Sequence, residues 1–208
     1  MEMKQEERRE QTMKLLLDTS EELILEKGCN KTTLSDIMAR SGLSKGAIFH
    51  YVSGKDELFV KVLEAKLEET NTSFMDAVDA PAVKEFEGPM NAIAQSLPKL
   101  ESRKDVSNLI MMYLIGKSDQ PEAAGIVADF YRQAVATSKK WIVTGQESGV
   151  IPSSVNADQA AELFELLSFG LRMRSLIGVR STGFGIQEFS ELIMRTLRPD
   201  RQGGAPTS

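Results

Sequence analysis

The sequence predicts an all-α fold, and three observations carry that reading. Apolar residues recur at three- and four-residue spacing along most of the chain, the repeat of a helix face. No stretch alternates apolar and polar residues between turn signals, as a half-buried strand would. Helix starters such as Thr33, Ser44, Pro121 and Asn156 are interleaved with stops such as Gly28, Gly42 and Gly149. The 208 residues suffice for a small domain and a larger one. The expected organisation is a three-helix domain over 1–54, a larger helical domain over 55–197, and a disordered tail over 198–208, rich in Pro, Gly and small polar residues.

Taken in order, Glu6 to Lys27 reads as the first helix, with Met13, Leu16, Leu17, Ser20, Leu23 and Ile24 at helical spacing. After a short linker comes the segment 33–52. Thr33 and Asp36 form a capping box for a short helix bearing Leu34, Ile37 and Met38. Gly42 permits a sharp turn, Ser44 caps a second short helix, and Leu43, Ile48 and Tyr51 lie where that helix meets the first. This is a helix-turn-helix pattern, with Phe49 expected in the core and Cys29 in the preceding turn. Ser53 to Asp56 caps a long helix running to about Val78, which Asp79 to Pro81 ends.

The spacing then predicts a helix over Ala82 to Leu97, carried by Val83, Phe86, Met90, Ile93 and Leu97. The charged run Lys99 to Asp105 reads as a solvated loop or helix start, and Val106 to Ile115 as a helix buried on most sides. Pro121 suits the first turn of a long helix reaching about Ser148. Asn156 with Gln159 is a second capping box, opening a helix that reaches Val179. Thr182 to Gly185 reads as a loop, and Ile186 to Leu197 as the last helix. The last two helices are apolar on more than one side, and Ala160, Ala161, Ser168 and Gly170 leave room for close helix approach, which fits a second subunit as well as the domain's own core.

A net charge of −5 argues against indiscriminate binding to polyanions, so any nucleic-acid contact must be focused. Such a focus exists between residues 31 and 55, where Lys31, Arg40, Lys45 and Lys55 face Asp36 alone. Within it Lys45, Gly46, Ala47 and His50 give the second short helix a cationic, small and polar outer face that lets a backbone approach a groove wall. A glycine there costs about 1 kcal/mol of helix stability relative to alanine, a cost that close approach to a duplex would offset.

One cysteine excludes an intrachain disulfide and a cysteine metal cluster, and one histidine leaves neither a triad nor a zinc site to assemble. No Gly-rich phosphate loop occurs. The chain is therefore expected to be no enzyme and to need no metal or cofactor. It has no apolar run near the ~20 residues that cross a bilayer, and its charged N-terminus lacks a signal-peptide core, so no membrane partner and a cytoplasmic location are expected.

Ile37 to Leu58, reading IMARSGLSKGAIFHYVSGKDEL, closely resembles the signature of the TetR family of bacterial transcriptional regulators. Met38, Ala47 and Val52 depart from its commonest residues. The resemblance implies a homodimeric regulator, most often a repressor. It implies a helix-turn-helix DNA-binding domain and a larger helical domain for dimerisation and ligand binding, with the last two long helices forming a four-helix bundle with their mates. The DNA partner would be a near-palindromic double-stranded operator, read in successive major grooves about 34–36 Å apart or wider. Here Lys45 is expected at a base edge or phosphate, Gly46 and Ala47 at close backbone approach with a thymine methyl, Thr33, Ser44, Tyr51 and Lys55 at phosphates, and His50 at either. An effector cavity is implied after the bridging helix; its candidate liners are Phe86, Met90, Met111, Met112, Tyr113, Phe130, Tyr131, Trp141 and Phe169, suited to a small apolar or aromatic molecule. The residues also leave open an all-α ligand-carrying or enzymatic domain whose hairpin docks a protein.

Overall fold

Every regular element is helical in the computed structural model, which describes residues 2–80, 85–179 and 183–198. Among them are α1 (Glu2–Lys27), α2 (Leu34–Ser41), α3 (Lys45–Phe49), α4 (Lys55–Asp79), α5 (Glu87–Ser96), α6 (Val106–Ile115), α7 (Pro121–Glu147), α8 (Ala157–Leu176) and α9 (Ile186–Leu197). A 3-10 turn, Leu97–Glu101, follows α5. Val83, Thr182 and residues 199–208 of the expected tail lie outside the described residues.

The chain divides into two compact units: 1–67 with 103–130, and 68–102 with 131–208. In the first unit α1 and α2 pack around Leu16, Leu23 and Ile37, joined by Ile48 below α3, Val52 and Leu58. Met13, Leu17, Leu34, Met38, Leu43 and Tyr51 cover this core in part, as their spacing predicts. α6 belongs to the same unit, with Ile110 and Leu114 fully buried.

The second unit is built on Phe86, Met90, Leu97 and Leu100 packed with Phe164 and Leu171 of α8 and Phe189 of α9. The Trp141 indole N–H donates to Asn71 Oδ1 at 2.9 Å, and the Trp141 ring stacks on Phe74 with centroids 5.0 Å apart.

Three boundaries differ from those the sequence predicts, each for a local reason. α5 starts at Glu87 because Pro89 lacks an N–H and its ring clashes with the preceding turn, so it belongs in a helix's first turn. The charged run after Pro98 is no free loop. Leu100 is buried in the core, the Ser175 hydroxyl donates to the Glu101 carbonyl at 2.7 Å, and Arg174 pairs with the Glu101 carboxylate. α8 stops at Leu176, with Gly178 at φ 78° beyond it. Its cap is half of the expected box: Asn156 accepts the Gln159 N–H at 3.1 Å.

α8 bears on the small-residue reading, which fitted the domain's own core as well as a second subunit. Ala160 and Ala161 sit in the unit's own core. A second apolar row nevertheless points outward, with Leu166 59% and Ile177 68% exposed beside exposed Leu163 and Gly170. These residues recur at the three-, four- and seven-residue intervals of one helix face.

At the end of α7 the Gly145 carbonyl accepts the N–H groups of Val150 and Ile151, both at 3.0 Å. A Cβ on Gly145 would lie 2.5 Å from Ile151 Cδ1 and 2.7 Å from its Cγ1, and Ile151 is buried. Gly145→Ala is therefore expected to destabilise the protein by about 1–3 kcal/mol through overpacking, read as a lowered midpoint in urea unfolding.

Candidate nucleic-acid interface

The helix-turn-helix is fixed by local hydrogen bonds that its residue types dictate. The Thr33 hydroxyl accepts the Asp36 N–H at 3.2 Å, while the Thr33 N–H donates to Asp36 Oδ2 at 2.8 Å. Asp36 also accepts the Thr33 hydroxyl at 2.5 Å and pairs with Lys27 at 2.7 Å. The Lys27 bond, followed by those from Thr33, holds the Asp36 carboxyl far below the usual carboxylate range. Gly42 ends α2 at φ 71°, its N–H donating to the Met38 carbonyl at 3.0 Å; this left-handed conformation disfavours a Cβ. Ser44 Oγ then accepts the Ala47 N–H at 3.2 Å and starts α3.

Ile48 is buried, so the geometry of α3 turns Lys45, Gly46, Phe49 and His50 to solvent. Phe49, expected in the core, is 44% exposed. Ile48 and Val52 take the inward positions instead, and a five-residue helix has no second inward row to offer. The Lys45 ammonium stands 5.6 Å from the Phe49 ring centroid. His50 meets Tyr51 edge to face at 5.2 Å, and Tyr51 is half-buried, its side chain packed against the core. Ala47 is half-buried, while a Cβ built on Gly46 meets nothing within 4 Å.

The basic patch is narrower than its residues suggest. Arg40 forms a two-pronged pair with Glu26 of α1, at 2.5 and 2.9 Å, with Glu22 at 3.9 Å. Lys55, assigned to a phosphate, directs its ammonium to the Cys29 carbonyl at 3.2 Å, with the Tyr113 ring centroid 5.0 Å away. Burial lowers the Lys55 pKa, with the Lys117 charge acting in the same direction and Asp56 against it. Cys29 lies in the turn after α1, as expected, and is buried there; burial pushes its thiol up to about 11, so it stays protonated. Lys31 and Lys45 remain exposed.

Tyr113, a candidate pocket liner, lies in the first unit instead, bonded to the start of α4. Its hydroxyl donates to Asp56 Oδ1 at 2.7 Å, and Lys117 donates to the other Asp56 oxygen and, at 3.1 Å, to the Tyr113 hydroxyl. This joint ties the end of α6 and the residues after it to α4, the helix that follows α3. Nothing in the sequence pairs residues so far apart, although an acid in a helix's first turn was visible. Of the other candidate liners, Met111 is buried, Met112 is exposed and Phe130 is half-buried in the first unit. Phe86 and Met90 are core residues of the second, where Trp141 is half-buried and Tyr131 and Phe169 meet edge to face at 6.3 Å. On the same α7–α8 contact, the Ser138 hydroxyl donates to Glu165 at 2.5 Å, and burial raises the Glu165 pKa.

Comparison with known proteins finds matches to the helix-turn-helix stretch and to the fold. The sequence model of a family described as bacterial regulatory proteins, tetR family, matches residues 16–62, which run from the buried Leu16 of α1 to Val62 of α4. An uncharacterised HTH-type transcriptional regulator of Bacillus subtilis, YfiR, is 32% identical over 54 residues, about a quarter of either chain. The structure of reduced Escherichia coli NemR shares the fold, with TM-score 0.62 and 18% identity, over 90% of this chain and 98% of that one. So does a TetR-family transcriptional regulator of Pectobacterium atrosepticum, with TM-score 0.58 and 20% identity, over 91% of this chain and 95% of that one.

Burial pushes the Asp56 carboxyl up, but the bonds from Lys117 and Tyr113 and the nearby lysine charges outweigh it and leave the pKa below its ordinary value. A carboxyl lowered on folding contributes stability above its unfolded pKa of about 3.9 and loses it as pH falls through the folded value. Asp56→Asn is therefore expected to cost about 1–2 kcal/mol at neutral pH, after allowance for the joint's partial exposure. The gap from the native protein should shrink as urea melts are taken down through the acid range.

Proposed function

We infer that this chain, which belongs to the tetR family of bacterial regulatory proteins, represses transcription by holding a near-palindromic operator as a homodimer and letting go when a small effector binds. The observation that carries the reading is the outer face of α3. A helix pinned by Ile48 and Val52 presents a lysine, a glycine, an aromatic ring and a histidine outward. That is the build of a major-groove reader.

Residues 1–54 act as the DNA-binding domain. Lys45 takes a base edge or adjacent phosphate, Gly46 and Ala47 allow close backbone approach, and His50 reaches base or phosphate. Thr33, Ser44 and Tyr51 bind phosphates. Lys55, whose ammonium is occupied by the Cys29 carbonyl, contributes through the N-terminus of α4.

Residues 55–197 act as the regulatory and dimerisation domain. The outward row Leu163, Leu166 and Gly170 on α8, with Ile177 just past its end, is covered by the same row of a second copy, an arrangement that a two-fold axis permits. Tyr131, Trp141 and Phe169 are the liners best placed to meet an apolar or aromatic effector, since all three keep part of their surface open. The effector acts by favouring the conformation that binds DNA poorly, to the extent of its differential affinity. A regulator of this kind works in the cytoplasm, and no helix among the described residues is long and apolar enough to cross a membrane.

Selection of bound sequences from random DNA, followed by gel shifts at two salt concentrations, tests the reading. Enrichment of a two-fold symmetric sequence whose binding falls steeply with salt supports it; no enrichment refutes it. Lys45→Ala should weaken binding to that sequence by about 1–3 kcal/mol. Leu166→Glu should convert dimer to monomer in sedimentation and abolish tight operator binding while leaving the helical circular-dichroism signal intact.

A further inference from the structure

An isolated exposed phenylalanine on a protein surface is ordinary. Phe49 is set apart by its surroundings. It lies one turn after Lys45 on the outer face of α3, with the lysine ammonium 5.6 Å from its ring centroid. Gly46, between them, leaves open space around the backbone. The ring is 44% exposed, and its neighbours Ile48 and Val52 fill the core without it.

A phenyl ring has no hydrogen-bond donor or acceptor, so it cannot read the polar edge of a base. In the major groove thymine presents the C5-methyl group, an apolar feature that distinguishes it from the other bases. The lysine supplies a cation, which the negatively charged duplex attracts and base acceptors can receive. We propose that Phe49 is a specificity-determining residue whose ring packs on the C5-methyl of a thymine in each half-site, beside the acceptor that Lys45 engages. This rests on the DNA-binding reading and adds to it the base class and the residue that selects it. Methyl recognition then belongs to the Phe49 ring, with Gly46 and Ala47 providing clearance.

Once a bound sequence has been selected from random DNA, each thymine in a half-site is replaced in turn by deoxyuridine, which removes the methyl and nothing else. For the native protein one position should weaken by about fourfold per half-site, the equivalent of ~0.8 kcal/mol for one buried methyl-sized group. Phe49→Ala should bind thymine and deoxyuridine equally there, and Phe49→Leu should show an intermediate ratio. Circular dichroism checks that both variants are folded. If the native protein is indifferent to deoxyuridine at every thymine, or if both variants keep the full native ratio, the proposal is overturned while DNA binding stands. If no sequence is enriched at all, the DNA-binding reading falls and this proposal with it.

Discussion

The burial of Leu16, Leu23, Ile37, Ile48, Val52 and Leu58 against one another is the constraint on which the placement of α3 depends. A helix of five residues cannot hold its shape alone, because nucleation costs more than so few hydrogen bonds return. α3 exists because Ser44 caps its start, Gly42 delivers the chain at the required angle, and Ile48 anchors it from below. Only with the inward side fixed does the outward side acquire a defined content.

Electrostatics then trims that content. The acids of α1 lie outside the stretch in which the cations cluster, yet folding brings Glu26 against Arg40 and Lys27 against Asp36. Lys55 turns to a backbone carbonyl. Of the cations on the basic stretch, Arg40 is exposed but paired with Glu26, while Lys31 and Lys45 are exposed, in a protein of net charge −5. On the proposed DNA-binding reading, so small an exposed positive patch would keep general affinity for nucleic acid low and leave discrimination to the few side chains that α3 projects.

Much of this was legible in the sequence because it is local. Thr33 and Asp36 cap as their spacing requires, Gly42 takes the positive φ, and α6, α7 and α9 keep their expected extents to within a residue. What was not legible depends on partners distant in the chain. The outward turn of Phe49 follows from how little inward surface so short a helix has. Lys55 is drawn to Cys29 only when the turn after α1 folds back on α4, and Tyr113 meets Asp56 across 57 positions. Pro89 did carry a local signal for the start of α5, but its apolar neighbours mask it. Leu100 was hidden by the charges on either side of it, although burial of one apolar residue among charged ones is common where the charged side chains can reach water.

The joint of Asp56, Tyr113 and Lys117 bears on whether the helix-turn-helix is separable from the helices that follow it in the chain. α6 contributes to the same compact unit as the helix-turn-helix, and the Tyr113 ring lies edge to face on the fully buried Phe59 at 5.5 Å. A fragment excised at residue 67 would keep α1, α2 and α3 yet strip the Tyr113 ring from Phe59 and leave the Asp56 carboxylate without both donors. The helix-turn-helix thus shares its packing with α6, and moving it onto another scaffold would call for a substitute for that helix.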